Sequence, residues 1–401
     1  MKHFILAAAA VAALGHPAFA DGHKIGLLMG YTGPIESLTP GIAAGAEIAI
    51  AEVNAAGGVN GTILETVQAD TTCVDAAAAT AAAERLVNAE GVVGIVGALC
   101  SGATTAAANN VVIPAGVTMI SPASTSPAVT GLDDDDLVFR TAPSDEMQGS
   151  VLAHLLIEKG ITEVALTYTN NDYGGIFADS FAFFYEEILG GEIAILAGHE
   201  DGRADYSAEV AALSASGADH LVVIGYVDAG GRAILQQAIE TDAFTSYSAG
   251  DGMFGDSLIE ALGEGVEGII VTRPGNISEG MEIFTEIAAA NNLMLNGPYQ
   301  PEAYDAAAVL ALALAVGGDD LPAAVRSVAN APGELIHPGE LTKALEIIAN
   351  GGDIDYVGAT EVEFDVYGDP QGAYLEMTVE NGSWVTRRAV PQSLYMQGEY
   401  Y

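Results

Sequence analysis

The sequence predicts an α/β fold of two lobes, each with a parallel-rich sheet flanked by helices. Apolar runs of β type alternate with alanine-rich helical runs along most of the chain. This alternation is typical of parallel sheets covered by helices on both faces. It restarts near Ser144, and the 401 residues suffice for two domains of ordinary size. No serine- or glycine-rich linker separates the halves, which favours lobes that share several crossings.

The first lobe is predicted from elements that alternate regularly. Strands are expected at residues 24–29, 62–69, 92–96 and 117–120, and helices at residues 41–55, 75–88 and 101–111. In the first helix, apolar residues recur at helical spacing, and Gly57-Gly58 ends it. Asp75 is placed to cap the start of the second helix.

The second lobe repeats the pattern before the chain becomes mainly helical between residues 278 and 350. The tail predicts two strands, at residues 362–364 and 373–379, joined by a turn. Crossings between the lobes are expected at residues 140–145, around Arg273-Pro274, and at residues 353–358. The predicted first lobe is residues 21–141 plus 274–352, and the second is residues 142–273 plus 353–401.

Residues 1–20 predict a signal peptide that directs export and is cleaved near Ala20. Lys2 and His3 precede a short apolar run, and Ala18-Phe19-Ala20 suits a signal peptidase. The run is too short to span a bilayer. We therefore expect an exported, soluble protein that does not insert into the membrane.

The composition argues against several functions. The chain has 54 acidic and 12 basic residues, a formal net charge of −42. Such a surface repels nucleic acid and anionic membrane, so neither is expected as a partner. The sequence has no phosphate loop of the G-x-x-x-x-G-K-[ST] type, no G-x-S-x-G and no H-E-x-x-H. We expect a protein that is not an enzyme and needs no cofactor or metal.

Two cysteines, Cys73 and Cys100, leave three interpretations. In an oxidising compartment an even pair favours a disulfide. A metal site would need further ligands at suitable spacing. A catalytic Cys100 would need a nearby base or cation, and no neighbouring His or Lys supplies one.

Two loops suggest a binding site for an anion. A strand ends near Val96 and a helix begins at Ser101, where the free N–H groups and the helix dipole favour negative charge. Ser101 could cap the helix or offer its hydroxyl to a carboxylate, and spacing alone leaves both open. Thr125, after the next strand, could add a second hydroxyl or serve a local turn. Both loops follow strand ends, where open α/β sheets bind ligands.

In its ordered motifs the chain resembles the periplasmic leucine/isoleucine/valine-type binding proteins that serve ABC transporters. The resemblance spans nearly the whole chain beyond residue 20 and rests on Gly33-Pro34, residues 45–61, Asp70-Thr71-Thr72-Cys73, residues 97–101, residues 121–125, Arg140-Thr141, Asp172-Tyr173-Gly174, Gly225-Tyr226 and Gly250-Asp251-Gly252. It implies the type I periplasmic-binding-protein fold, with three hinge crossings and a ligand between the lobes. It also implies a Cys73–Cys100 disulfide.

The resemblance also implies ligand contacts. Ser101, Thr125 and the backbone at Leu99 and Ala123 match the positions that bind a carboxylate. Asp251 matches the acid that faces the ligand's ammonium, where the family often has Glu.

Four tyrosines complete the implied site. Tyr173 and Tyr226 match second-lobe residues that close over the ligand, and Tyr31 and Tyr299 match first-lobe wall positions. The neighbouring segment Leu38-Thr39-Pro40 departs from the family pattern. This departure bears more on which ligand side chain is accepted than on the contacts to the ligand's carboxylate and ammonium.

The resemblance implies an amino-acid-binding protein of the periplasm. We expect a monomer that captures a branched-chain or other apolar amino acid and delivers it to an ABC permease. The alternatives are a receptor of the same fold for amides, urea or aromatic carboxylates, and a ligand-sensing module.

Overall fold

The computed structural model describes residues 22–391. The predicted signal peptide lies outside the described residues. In chain order the strands are β1 His23–Met29, β2 Leu64–Asp70, β3 Gly94–Gly97, β4 Met119–Ser121, β5 Val138–Arg140, β6 Glu163–Thr169, β7 Glu192–His199, β8 His220–Ile224, β9 Ser246–Ala249, β10 Ile270–Pro274, β11 Glu334–Ile336, β12 Ile354–Tyr356, β13 Ala373–Glu380 and β14 Ser383–Pro391.

Helices separate most of these strands. In chain order they are α1 Thr39–Ala55, α2 Ala76–Glu84, α3 Ser101–Ala107, α4 Ile113–Ala115, α5 Pro127–Thr130, α6 Asp145–Glu158, α7 Asp172–Ala182, α8 Ser207–Ser214, α9 Gly230–Glu240, α10 Asp256–Leu262, α11 Glu279–Ala290, α12 Gln300–Val316, α13 Leu321–Ala329 and α14 Leu341–Ala349. Short π-helical segments continue three of them, at Arg85–Glu90, Ala108–Val112 and Phe183–Ile188.

Two sheets form the centres of two lobes, which confirms the predicted α/β class. The first has the order β2-β1-β3-β4-β5, and all of its neighbouring strands are parallel. The second has the order β14-β13-β10-β9-β8-β6-β7. Strands β6 to β10 are parallel there, whereas β13 runs antiparallel to both β10 and β14. In both sheets the carboxyl ends of the parallel strands face the space between the lobes.

The local sequence explains where the elements form. Ile25, Leu27 and Leu28 of β1 are fully buried because helices cover both faces of a parallel sheet. The predicted cap is confirmed, since the Asp75 carboxylate accepts hydrogen bonds from the first free N–H groups of α2. In the part of the chain that the structure describes, no single helix is long and apolar enough to cross a membrane, although α12 and α13 together, bent by 116°, reach that length and composition.

The tail agrees with the prediction in part, since β13 confirms the strand expected at residues 373–379. Residues 362–364 form no strand, and Phe364 makes only an isolated bridge to Pro370. The partner of β13 is β14, which lies later in the chain and was not predicted. Strand β12 pairs with β11, and this two-stranded sheet contacts α13 and α14. The alternation of apolar residues in residues 362–364 is too short to distinguish a strand from a turn.

Arg140, in the predicted first crossing, binds the turn at residues 367–370 in the tail. Its side chain is fully buried, and its Nε and Nη2 donate to the Asp369 carboxylate at 2.6 and 2.5 Å. A planar guanidinium suits such a two-point contact with a carboxylate. This ion pair ties the predicted first crossing to the turn at residues 367–370.

Candidate ligand-binding site

A narrow cavity lies between the lobes, and the centre of a water-sized sphere can occupy about 30 Å³ of it. Both lobes supply its walls, mainly from loops at the carboxyl ends of strands, as expected for this class of fold. Its lining residues are Ile35, Leu38, Ile42, Leu99, Cys100, Ser101, Ala123, Thr125, Tyr173, Tyr226, Asp251, Gly252 and Tyr299.

Ser101 is buried at the first position of α3, and its hydroxyl does not cap the helix. Cys100 is the N-cap residue, and no side chain caps the free N–H groups there. The Ser101 oxygen instead accepts a hydrogen bond from the Ser126 N–H at 3.2 Å. The hydroxyl hydrogen therefore remains available to an acceptor in the cavity, such as a carboxylate.

The loop after β4 is held in a fixed shape against the loop after β3. The Ser121 hydroxyl donates to the Ala98 carbonyl oxygen at 2.6 Å. Arg140 Nη1 donates to the carbonyl oxygens of Ser124 and Ser126 at 3.2 and 3.0 Å. These contacts fix the position of Thr125 at the cavity wall.

Asp145, which the sequence reasoning missed, contacts the lining residue Thr125 but does not itself line the cavity. It begins α6 directly after the first crossing, and Thr125 Oγ1 donates to its Oδ2 at 2.8 Å. The side chain is fully buried, and within the described residues Oδ1 has no hydrogen-bond partner. Burial raises the pKa of Asp145 well above its ordinary value, and the nearby negative charge of Asp251 raises it further. The Thr125 hydroxyl therefore binds Asp145 of the protein itself here, whereas the sequence predicted a contact with a ligand carboxylate.

Asp251 lies opposite, at the end of β9 in the second lobe. Its Oδ1 accepts hydrogen bonds from Gln148 Nε2 at 2.9 Å and from the Tyr173 hydroxyl at 3.1 Å, and its Oδ2 accepts one from the Tyr299 hydroxyl at 2.5 Å. Burial raises the pKa of Asp251, although the two tyrosine hydrogen bonds lower it. None of the ion pairs in the described part of the chain involves Asp145 or Asp251.

Comparison with known proteins assigns the family. The sequence profile of a family described as periplasmic binding proteins matches residues 22–338. The chain belongs to the periplasmic binding protein family. Its fold is accordingly the type I fold of that family, with two sheet-containing lobes.

Three individual proteins are similar to this periplasmic binding protein. A Leu/Ile/Val/Thr-binding protein of Salmonella typhimurium is 32% identical over 69% of this chain and 74% of its own length. The crystal structure of a leucine-binding protein from Thermotoga maritima has a TM-score of 0.77 at 24% identity and covers 92% of this chain and 99% of that one. A branched-chain amino acid transporter substrate-binding protein from Streptococcus pneumoniae, in complex with isoleucine, has a TM-score of 0.75 at 25% identity over 92% and 99%.

Tyrosines form the second-lobe wall of this periplasmic binding protein. The rings of Tyr173 and Tyr226 stack with centroids 5.2 Å apart and planes inclined by 28°. The Tyr173 hydroxyl also accepts from the Gly252 N–H at 3.3 Å, which fixes the backbone next to Asp251. Tyr299, just before α12, has a φ of 69°, a left-handed conformation that directs its hydroxyl to Asp251.

The sequence also did not predict the apolar wall of the cavity, which is formed by Ile35, Leu38 and Ile42. These residues belong to the start of α1 and the segment before it, where the chain departs from the family pattern. Their helical spacing is equally typical of a core face, so the sequence offered no signal that distinguishes them.

Eight of the nine residues predicted to contact a ligand line the cavity, and Tyr31 does not. Tyr31 is half-buried at the end of β1, near the carboxylates of Glu47 and Asp70. Burial raises the pKa of Tyr31, so its phenol stays protonated. Ile35 and Leu38 occupy the first-lobe wall in its place.

The predicted disulfide is present between Cys73 and Cys100. It joins the loop after β2 to the residue that precedes Ser101, so it braces the site without offering a thiolate. In residues 22–391, no group of three or more His, Cys, Asp and Glu side chains is arranged to hold a metal ion.

Proposed function

We propose that this protein captures an aliphatic amino acid between its lobes and delivers it to an ABC permease. The observation that carries the proposal is a pair of buried acids, Asp145 and Asp251, that form no ion pair within the described residues. Arg140 and Arg273 act on them only as more distant positive charges. A bound cation in direct contact would stabilise their ionised forms. A ligand ammonium between the two acids would be that cation.

The opposite end of the cavity suits a carboxylate. Ser101 lines the cavity at the start of α3, where no side chain caps the helix, and its hydroxyl hydrogen is available to an acceptor. A zwitterion would place its carboxylate here and its ammonium between the acids, with each charge hydrogen-bonded once water is excluded. An ordinary carboxylic acid would satisfy only the first of these two regions.

The apolar wall supports an aliphatic side chain on the ligand. Ile35, Leu38 and Ile42 offer hydrocarbon surface and no hydrogen-bonding side chain. Burying apolar ligand surface there contributes about 25 cal/mol per Å². The similar protein from Salmonella is named for leucine, isoleucine, valine and threonine binding, and the one from Streptococcus is in complex with isoleucine. Three of those four amino acids have aliphatic side chains that suit this wall.

The binding cycle follows from the two-lobed architecture. A ligand docks on the first lobe at Ser101, and the second lobe then closes and brings Asp251, Tyr173 and Tyr226 over it. In this cycle the ligand is bound and released without any change to its covalent bonds. The closed lobes would present the surface that a permease recognises.

A thermal-shift screen of the wild-type protein tests the proposal. A ligand at a hundredfold excess over its Kd stabilises the folded state by about 2.7 kcal/mol. We expect a clear rise in Tm with leucine, isoleucine or valine, and little with 4-methylpentanoate, which is leucine without its amine. A rise with benzoate or with amides, and none with any amino acid, would contradict the amino-acid assignment.

Export and assembly are parts of the same proposal. Residues 1–20 would be removed on export to the periplasm, leaving a monomer that begins at Asp21. N-terminal sequencing of the exported protein checks the cleavage site, and light scattering checks the monomer. An intact leader in the periplasmic fraction would contradict this part of the proposal without affecting ligand binding.

A further inference from the structure

Residues 34–38, which we call the latch segment, link the two lobes beside the cavity. The segment is fixed to the first lobe, because Thr39 Oγ1 donates to the carbonyl oxygens of Gly30 and Ile35 at 2.6 and 3.2 Å. Gly33, just before it, has a φ of 103°, a conformation that favours glycine. The latch segment therefore meets the second lobe as a rigid part of the first.

Polar contacts join the latch segment to the second lobe. The Ser37 N–H donates to Asp228 Oδ2 at 2.8 Å, and the Asp228 N–H donates to the Pro34 carbonyl oxygen at 3.2 Å. The hydroxyls of Ser37 and Ser257 are 3.1 Å apart. Asp228 lies between β8 and α9, and Ser257 lies in α10. Because the partners belong to different lobes, these hydrogen bonds require the closed arrangement.

Leu38 connects these contacts to the ligand cavity. Its side chain lines the cavity and is 7% exposed. On the side of the second lobe it packs against Gly255, where a Cβ would lie 2.9 Å from Leu38 Cδ2. The φ of Gly255 is 170°, an extended value that any residue adopts, so glycine here leaves room for Leu38. At Gly297 a Cβ would lie 3.1 Å from the same methyl group.

We propose that the latch segment determines specificity by coupling the size of the ligand's side chain to closure of the lobes. This inference rests on the proposed amino-acid function. Leu38 is confined between the ligand space and Gly255, so a bulky ligand side chain pushes it against the second lobe. The Ser37 and Asp228 contacts then cannot form. An aliphatic side chain that leaves Leu38 in place allows the latch segment to close.

Gly255→Ala tests this coupling, because the added methyl group pushes Leu38 towards the ligand. We expect the Kd for leucine to rise about tenfold, which is a typical effect of overpacking, and the Kd for alanine to change less than about twofold. Gly175→Ala is the matched control in the same lobe, where a Cβ meets nothing closer than 4.0 Å. Calorimetry with both ligands gives the ratio of the two Kd values.

Asp228→Ala tests the polar half of the latch segment. The variant loses the charged Asp228 carboxylate that accepts the partly exposed hydrogen bond from the Ser37 N–H. We therefore expect the dissociation rate of leucine to rise about fivefold. The association rate should change less than about twofold, since docking precedes closure. Glu260→Ala, which removes an exposed acid from the same lobe, is the control. Stopped-flow fluorescence gives both rates.

The outcomes separate the two proposals. If wild-type protein binds leucine and alanine, but Gly255→Ala weakens both equally or neither, the coupling is overturned and the amino-acid function stands. A dissociation rate for Asp228→Ala equal to that of Glu260→Ala also overturns it. If wild-type protein binds no amino acid, the proposed function itself fails, and the inference fails with it.

Discussion

Glu302→Gln should stabilise the protein at alkaline pH, because the Glu302 carboxyl group is buried without hydrogen bonds. The residue lies in the first turn of α12 with a side chain 1% exposed, and neither carboxyl oxygen has a partner within the described residues. Burial raises the pKa of Glu302 from 4.5 to about 7, although the positive charge of Arg273 lowers it. Ionised Glu302 is therefore unfavourable in the folded protein even beside Arg273.

The magnitude follows from the two pKa values of Glu302. The raised value means that the folded state holds the proton more tightly than the unfolded state does. The unfavourable contribution is therefore absent below pH 4.5, grows as the pH rises, and is complete above about pH 7. A pKa rise from 4.5 to about 7 corresponds to about 3 kcal/mol at full ionisation. Gln keeps the shape of the side chain and stays neutral, so the variant should be more stable by up to that amount at pH 8 and equal near pH 4.5.

Urea unfolding between pH 4.5 and 8 measures this difference. Glu286→Gln, the same chemical change at an exposed position of α11, is the control and should show no comparable effect. A Glu302→Gln variant that is less stable than wild type at pH 8 would refute the reasoning. That result would mean that the attraction between ionised Glu302 and Arg273 outweighs the free-energy cost of burying the Glu302 charge. A stability gain that does not depend on pH would refute it as well.

Three further predictions concern the site and its bracing. Ser101→Ala should weaken leucine binding by about tenfold, measured by calorimetry, because the hydroxyl donor to the carboxylate is lost; unchanged affinity would argue against that contact. Asp145→Asn should weaken leucine far more than 4-methylpentanoate, and equal losses would contradict a role at the ammonium. Reduction of the Cys73–Cys100 disulfide, whose residues are 27 apart, should lower the free energy of unfolding by about 3.5 kcal/mol. Chemical denaturation with and without reductant checks this value, and equal midpoints would contradict it.

The sequence predicted the parts of the site that lie in recognisable motifs. Ser101 follows a strand and opens a helix, and Asp251 stands between two glycines after another strand, so their places in the fold follow from local pattern and family resemblance. The closeness of Asp251 to Tyr299 did not follow, because it depends on a tertiary contact and on a left-handed backbone at residue 299.

Other parts were missed because their local signals have common alternatives. Asp145 follows a serine at a helix start, where an acid usually serves the helix dipole alone. Leu38 and Ile42 have the spacing of core residues, and only packing shows that they face a cavity. The strand predicted at residues 373–379 is confirmed by β13, whereas the strand at residues 362–364 was wrong because three residues are too few for periodicity to separate a strand from a turn. Arg140 fixes the turn that follows through Asp369.

The central claim, that an ammonium group binds between two buried acids, is tested most directly by calorimetry on wild type and Asp251→Asn. Each protein is titrated with leucine and with 4-methylpentanoate, which differ only by the amine. Removing one charge from a buried, hydrogen-bonded pair costs about 3 kcal/mol, so the variant should bind leucine at least about a hundredfold more weakly. Its affinity for 4-methylpentanoate should be unchanged or higher. Equal losses for the two ligands would contradict the claim.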